Sequence, residues 1–299
     1  MSVPLAYLGI IVLWSTTPLA IKWSGEGVGF LFGISARMII AALICLAVFA
    51  VFRWPLPRDK KALHVYIAIG LPLYCAFMSA YFGAQYIPSG LISVVFGLTP
   101  IFTGLFAAAL LKERIFTFTK VTGMLLGVLG LAVIFKNSMS LGDKGLLGVI
   151  MLLMASVFQS FGTVWVKRVM VQLHPFTANT GGVTVAAILY SVTLGLSGKN
   201  ALPQHIPLHT EYAIVYLAVF GSILGAVLFF YALRHVSATS MGMLTLITPV
   251  SALMIGKTFN HESIDLTTLL GTGLIMLGLI VYQWSNLLKH PLLARPIRS

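Results

Sequence analysis

Arg37 is the one ionisable side chain set well inside an apolar stretch of this 299-residue chain. It stands about eight residues, roughly 12 Å of helix, from the start of that stretch. At membrane depth an arginine costs about 2.5 kcal/mol or more unless it is paired, hydrated or snorkelling. Two roles are open to it. It can line a cavity and attract a carboxylate or phosphate, or it can bond freed backbone carbonyls and reach the outer interface. All seven acidic residues (Glu26, Asp59, Glu113, Asp143, Glu211, Glu262 and Asp265) fall at or beyond the ends of apolar stretches. A proton-driven cation exporter usually needs a carboxylate at depth, to hold the cation and to release it on protonation. Its absence disfavours cationic cargo, and it disfavours di-acid catalysis.

Thr99-Pro100 and Thr248-Pro249 lie 149 residues apart, each near the middle of an apolar stretch. Thirteen residues after each proline comes a glutamate, Glu113 or Glu262. A proline removes the amide that would bond the carbonyl four residues back: Phe96 for Pro100, Thr245 for Pro249 and Ala68 for Pro72. In hydrocarbon such carbonyls must find protein or water partners. Thr99 and Thr248 stand beside the prolines and can bond them; a polar cavity would supply water. Further wall candidates are Trp14, Ser15, Thr17, Tyr74, Ser79, Tyr81, Gln85, Ser93, Gln159, Ser160, Trp165 and Tyr231. The structural alternatives are a packing kink at the prolines and an interfacial aromatic belt at Trp23, Trp54, Tyr86 and Trp284. Ser89, Ser93, Gly97, Gly104 and Ala108 form a helix-spaced stripe of small residues, a close-packing signal. Lys22 and Lys167 read as snorkelling helix ends. His205 and His209 flank Pro207 in a loop, so a helical metal pair is not expected. No glycine-rich phosphate loop, HExxH, CxxC or nucleophile elbow occurs. No catalytic residue, metal or cofactor is therefore expected.

The elements that must position these residues follow from composition. The chain is 59% hydrophobic and 9% charged, against about 25% charged in a soluble domain. Apolar runs of membrane length recur with short polar breaks, so the bilayer is the solvent. The spacing predicts ten helices, over 3–21, 29–52, 64–86, 88–111, 118–136, 145–167, 175–197, 211–234, 236–258 and 265–288. The breaks near Ile87 and His235 are very short and fit tight hairpins or broken re-entrant helices. Cys45 and Cys75 both fall inside apolar runs and read as packing residues. The first run lacks a basic leader and reads as a retained span. With the N-terminus inside, thirteen Lys and Arg fall in cytoplasmic breaks and five in the opposite ones. That bias predicts both termini in the cytoplasm. The net charge of +12 is thus a matter of orientation, and no nucleic-acid partner is expected.

The chain repeats itself. At an offset of 149, Tyr81-Phe82 matches Phe230-Tyr231, and Pro72 matches Gly221. At 145, Lys22 matches Lys167; Gly123, Gly127 and Gly130 are echoed loosely, at offsets of their own, by Gly271, Gly273 and Gly278. Five spans per half is an odd number, so the second half enters from the opposite side. The reading is all-α: ten transmembrane helices as two five-helix inverted repeats, over 1–138 and 143–288, with a cytoplasmic tail at 289–299.

Tyr86-Ile87-Pro88-Ser89-Gly90, Leu98-Thr99-Pro100, Leu111-Lys112-Glu113-Arg114 and the Gly123–Gly130 run together resemble the EamA family of the drug/metabolite transporter superfamily. Trp14-Ser15 and Arg37 fit the same pattern. The second copy departs from it, with Lys257-Thr258-Phe259-Asn260-His261-Glu262 in place of a leucine-rich approach to the glutamate. The resemblance implies a transporter of a bacterial inner membrane, most readily an exporter of amino acids or related zwitterionic or anionic metabolites. Alternating access around a midplane cavity would move the cargo. Cavity candidates are Trp14, Ser15, Arg37, Tyr74, Ser79, Tyr81, Ser93, Thr99, Pro100, Gln159, Ser160, Tyr231, Thr245, Thr248 and Pro249. A nucleotide-sugar or other organic-anion exchanger and a membrane protein without transport are the alternatives. The expected partners are a small-molecule substrate and the lipid bilayer, with the chain acting as a monomer.

Overall fold

A computed structural model describes residues 3–112, 117–138, 144–169, 173–198, 203–235, 244–262 and 264–289. The first three spans are α1 (Val3–Trp23), α2 (Phe30–Val51) and α3 (Lys60–Ala84). The fourth is two helices, α4 (Ser89–Phe96) and α5 (Thr99–Leu111). Next come α6 (Phe118–Ser138), α7 (Gly145–Val169) and α8 (Pro175–Leu196). The eighth span starts as α9 (Leu208–Tyr216), continues through a π-helical stretch (Leu217–Leu224) and ends as α10 (Gly225–His235). The last two are α11 (Leu244–Asn260) and α12 (Leu266–Lys289). The protein is an all-helical, ten-span membrane protein. Among the described residues, seven spans are long and apolar enough to cross a bilayer alone, and α6 and α12 add the shorter apolar stretches Phe118–Ile134 and Leu266–Tyr282.

The local signals explain the boundaries. α2 has 22 residues with Arg37 as its single charge, a rise of about 33 Å. Asp59 accepts a hydrogen bond from the Ala62 amide and caps α3, so this helix starts at Lys60, earlier than its apolar pattern. Gly29 precedes α2 at φ 80°, a left-handed conformation that glycine adopts without strain.

The two Thr-Pro pairs part company in three dimensions. At Thr99-Pro100 the span breaks over Gly97 and Leu98; at Thr248-Pro249 α11 runs through. Pro72 likewise lies inside a continuous α3. The break is held from α7, where Ser160 Oγ donates to the Thr99 carbonyl (3.0 Å) and Ser156 Oγ to that of Val95 (3.4 Å). The adjacent threonines do not take the expected part. Thr99 Oγ1 is buried without a partner, and Thr248 Oγ1 donates to the Leu244 carbonyl (2.9 Å), not to that of Thr245.

Most packing is between the halves. α3 packs on α7 and α8, and the eighth span packs on α1 and α2. The fourth span packs on α7 as α11 packs on α1. α2 with α8, the fourth span with α11, and α6 with α12 complete the set. Exchanging the halves maps this set onto itself, which is the symmetry of the repeat. Glycines permit the approach. A Cβ on Gly123 would lie 2.5 Å from the Gly278 carbonyl oxygen, and one on Gly130 would lie 2.6 Å from that of Gly271. Backbone contact of this kind lets van der Waals attraction hold helices where no hydrophobic driving force exists.

Candidate functional site

Arg37 sits in the middle of this inter-half packing and is 2% exposed. Its Nε donates to Ser222 Oγ (2.9 Å) and its Nη1 to Tyr81 Oη (3.2 Å). The guanidinium lies over the Phe77 ring, 4.5 Å from its centroid, a favourable cation–π placement. Ser222 and its neighbour Gly221 belong to the π-helical stretch of the eighth span. The wider π turn presents backbone that an α-helix would bond internally, and the Ser222 carbonyl accepts from Asn179 Nδ2 of α8 (3.1 Å). Gly221 keeps the space open: a Cβ there would lie 3.2 Å from Arg37 Nη2. Four spans, two from each half, thus meet at one buried cation. Its hydrogen-bonding partners, Ser222 and Tyr81, are neutral hydroxyls, and among the described residues no carboxylate pairs with it.

A second polar cluster lies where α1, α4 and α11 meet. After α11, His261 turns left-handed (φ 51°) and the Glu262 amide donates to the Gly256 carbonyl (3.2 Å). The turn sends the Glu262 side chain, 8% exposed, to the N-terminus of α4. Glu262 Oε1 accepts from the Ser89 amide (2.9 Å), Asn260 Nδ2 (2.8 Å) and Lys22 Nζ (3.4 Å). Oε2 accepts from Ser89 Oγ (2.9 Å) and the Gly90 amide (3.4 Å). Burial pushes this carboxyl up, but the bonds from the Ser89 amide, Asn260 and the Ser89 hydroxyl, with the Lys22 charge, hold it below the usual carboxylate range. Lys22 also donates to the Ile87 carbonyl (3.3 Å). It is an ion-pair partner, not a snorkelling end.

The EamA-like transporter family matches the chain twice, over residues 1–136 and 146–283. The chain belongs to this family. An uncharacterized transporter of Archaeoglobus fulgidus is 26% identical over 91% of the chain and 95% of its own length. The uncharacterized inner membrane transporter YedA of Escherichia coli K12 is 24% identical, covering 98% and 93%. YoaV, an uncharacterized transporter of Bacillus subtilis, is 25% identical over 93% and 96%. A solved protein crystal structure aligns with a TM-score of 0.65 at 20% identity, over 95% of this chain and 98% of that one, a likeness of fold. The protein is a multi-pass membrane transporter of the EamA-like family, with two family repeats, and not an enzyme.

In this EamA-like frame, Arg37 and Tyr81 meet directly. Tyr81 also lines a cavity of about 190 Å³ shared with Lys22, Glu26, Phe30, Ala84 and Gln85. The Tyr190 hydroxyl donates to the Tyr74 carbonyl (2.7 Å), and the Tyr74 hydroxyl pairs with Thr193 Oγ1 (2.7 Å). Trp14 stacks on Phe229 (5.3 Å), and Tyr231 packs on the same apolar cluster. Ser15 and Ser93 are buried, and Ser15 Oγ has no partner. Ser160 reaches the break beside Pro100. Ser79 bonds the Cys75 carbonyl of its own helix, and Gln159 is half-buried. Pro249 is buried beside Thr248 in α11. The Thr245 side chain and Glu113 lie outside the described residues. Ser222, Asn179, Phe77 and Ser156 escaped the sequence reading. The flagged Gly221 stood next to Ser222, and Asn179 is the lone side-chain amide in α8.

Proposed function

We propose that the protein is a secondary transporter that exports amino acids or related zwitterionic or anionic metabolites, working by alternating access. The observation that carries this reading is Arg37: a buried guanidinium at the meeting of both halves, held by neutral hydroxyls. A cation desolvated without a counter-charge attracts an anionic group strongly. The absence of a carboxylate at its depth favours cargo bearing its own negative group. The 190 Å³ cavity beside Tyr81 accommodates a small polar head rather than a large body. Two units, 1–138 and 143–288, rock about this centre, with the 289–299 tail and both termini in the cytoplasm of a bacterial cell and one chain as the transporting unit. The loop-charge bias and the inner-membrane relative support this placement. The export direction rests on the family resemblance.

Purified protein in proteoliposomes tests the reading. Counterflow is measured against amino acids, organic anions, nucleotide sugars and organic cations, with and without a pH gradient. Exchange of an amino-acid-type zwitterion or anion is the expected result. Exchange confined to organic cations, or none at all, contradicts it. Exchange confined to nucleotide sugars transfers the site to that cargo class.

A further inference from the structure

We propose that Lys22, Glu262 and Ser89 form the gate that closes one end of the transport path between the two halves. The inference rests on the transport reading but not on any cargo. For an inverted repeat to open at one face, the bonds crossing between halves at that face must break. At this end they are gathered: Lys22 of α1 and Ser89 of α4 are held by Glu262 from the other half. Trp23 Nε1 donates to Asn260 Oδ1 (3.1 Å) beside them. Three properties distinguish a gate from a fixed staple. Glu262 is carried on a loop just past a left-handed residue, so a backbone rotation can withdraw it. Its carboxylate occupies a slot that only glycine leaves open, since a Cβ on Gly256 would lie 2.5 Å from Oε2 and 2.8 Å from Ser89 Oγ. Lys22 forms both the latch and the wall of the 190 Å³ cavity that reaches Tyr81, so releasing it widens the way toward Arg37.

The repeat carries the two charges but not the serine, since Ala238 stands 149 residues after Ser89. Lys167 stands 145 residues after Lys22 and Glu113 stands 149 before Glu262. Lys112, immediately before Glu113, is left-handed (φ 57°) just as His261 is.

Cysteine labelling tests the gate without a substrate. The chain has two cysteines, Cys45 and Cys75, which are replaced by alanine. Ser93→Cys is the reporter. Ser93 is 7% exposed and lies one turn below Ser89 on the same face of α4. Exposed Gln85→Cys is the reference. In nanodiscs, a bulky hydrophilic maleimide is expected to label the Ser93→Cys protein slowly. Adding Lys22→Gln or Glu262→Gln should raise that rate about tenfold, the shift that loss of a charge-assisted hydrogen bond gives a two-state equilibrium. The Gln85→Cys rate should stay within about twofold, because a lip residue is open in either state. An unchanged Ser93→Cys rate in a cooperatively unfolding Lys22→Gln protein overturns the gate, whether or not Glu262→Gln folds. Counterflow of a cargo is untouched by that outcome, so the two readings fail separately.

Discussion

At the scale of single residues, two buried charges, Arg37 and Glu262, are stabilised in opposite ways. Arg37 is stabilised by neutral partners, and each is separately removable. Ser222→Ala leaves the buried Nε–H unpaired, which should cost about 1–3 kcal/mol and appear as a lower unfolding temperature in detergent. Glu262 is stabilised by five donors, and its proton affinity is lowered. A lowered folded value means the carboxylate adds stability above the ordinary carboxyl value of about 4.3. That contribution is lost as pH falls through the folded value. The unfolding temperature of the wild type should therefore drop in this acidic window, and Glu262→Gln should flatten that dependence. Equal slopes for both proteins would remove the carboxylate from the explanation. Arg37 was legible in the sequence because a lone charge in an apolar run is conspicuous. Its partners were not, because a serine or tyrosine within a span has no signature until the helices are packed.

The elements add a contrast that the sequence conceals. Thr99-Pro100 and Thr248-Pro249 match in sequence and position, yet one breaks its span and the other does not. The difference comes from a third element. Ser156 and Ser160 of α7 supply donors at the first site, and such tertiary partners cannot be read from local propensity. Ser160→Ala should leave the Thr99 carbonyl without that donor and cost about 1–2 kcal/mol, measured by thermal unfolding. The glycines were legible in the sequence as a repeat, but their contact was not. Gly123 and Gly130 meet Gly278 and Gly271 backbone to backbone. Gly123→Leu should force α6 and α12 apart, destabilising by about 1–3 kcal/mol or more. Gly273 has open space where a Cβ would go, so Gly273→Ala should be close to neutral in the same assay. Equal effects of the two would show that this helix pair is not held by glycine contact.

For the whole molecule, the ten spans and their pairing into halves were accessible from periodicity, loop charge and the repeat. The interlocking of those halves was not: a repeat in sequence is compatible with two side-by-side domains. The contacts instead run mainly between halves, so neither half has a complete core of its own. The proposed rocking would therefore exchange contacts within one shared interface, with Arg37 near its middle and the Lys22–Glu262 pair at one end. The most direct test is counterflow of the cargo found by the proteoliposome panel, with Arg37→Ala and Arg37→Lys compared after each is shown to unfold cooperatively. If Arg37 binds the anionic group, Arg37→Ala should lose about tenfold or more of the exchange rate, equivalent to about 1.4 kcal/mol. Arg37→Lys should retain part of it. Wild-type exchange of a zwitterionic or anionic cargo by folded Arg37→Ala protein would contradict the account.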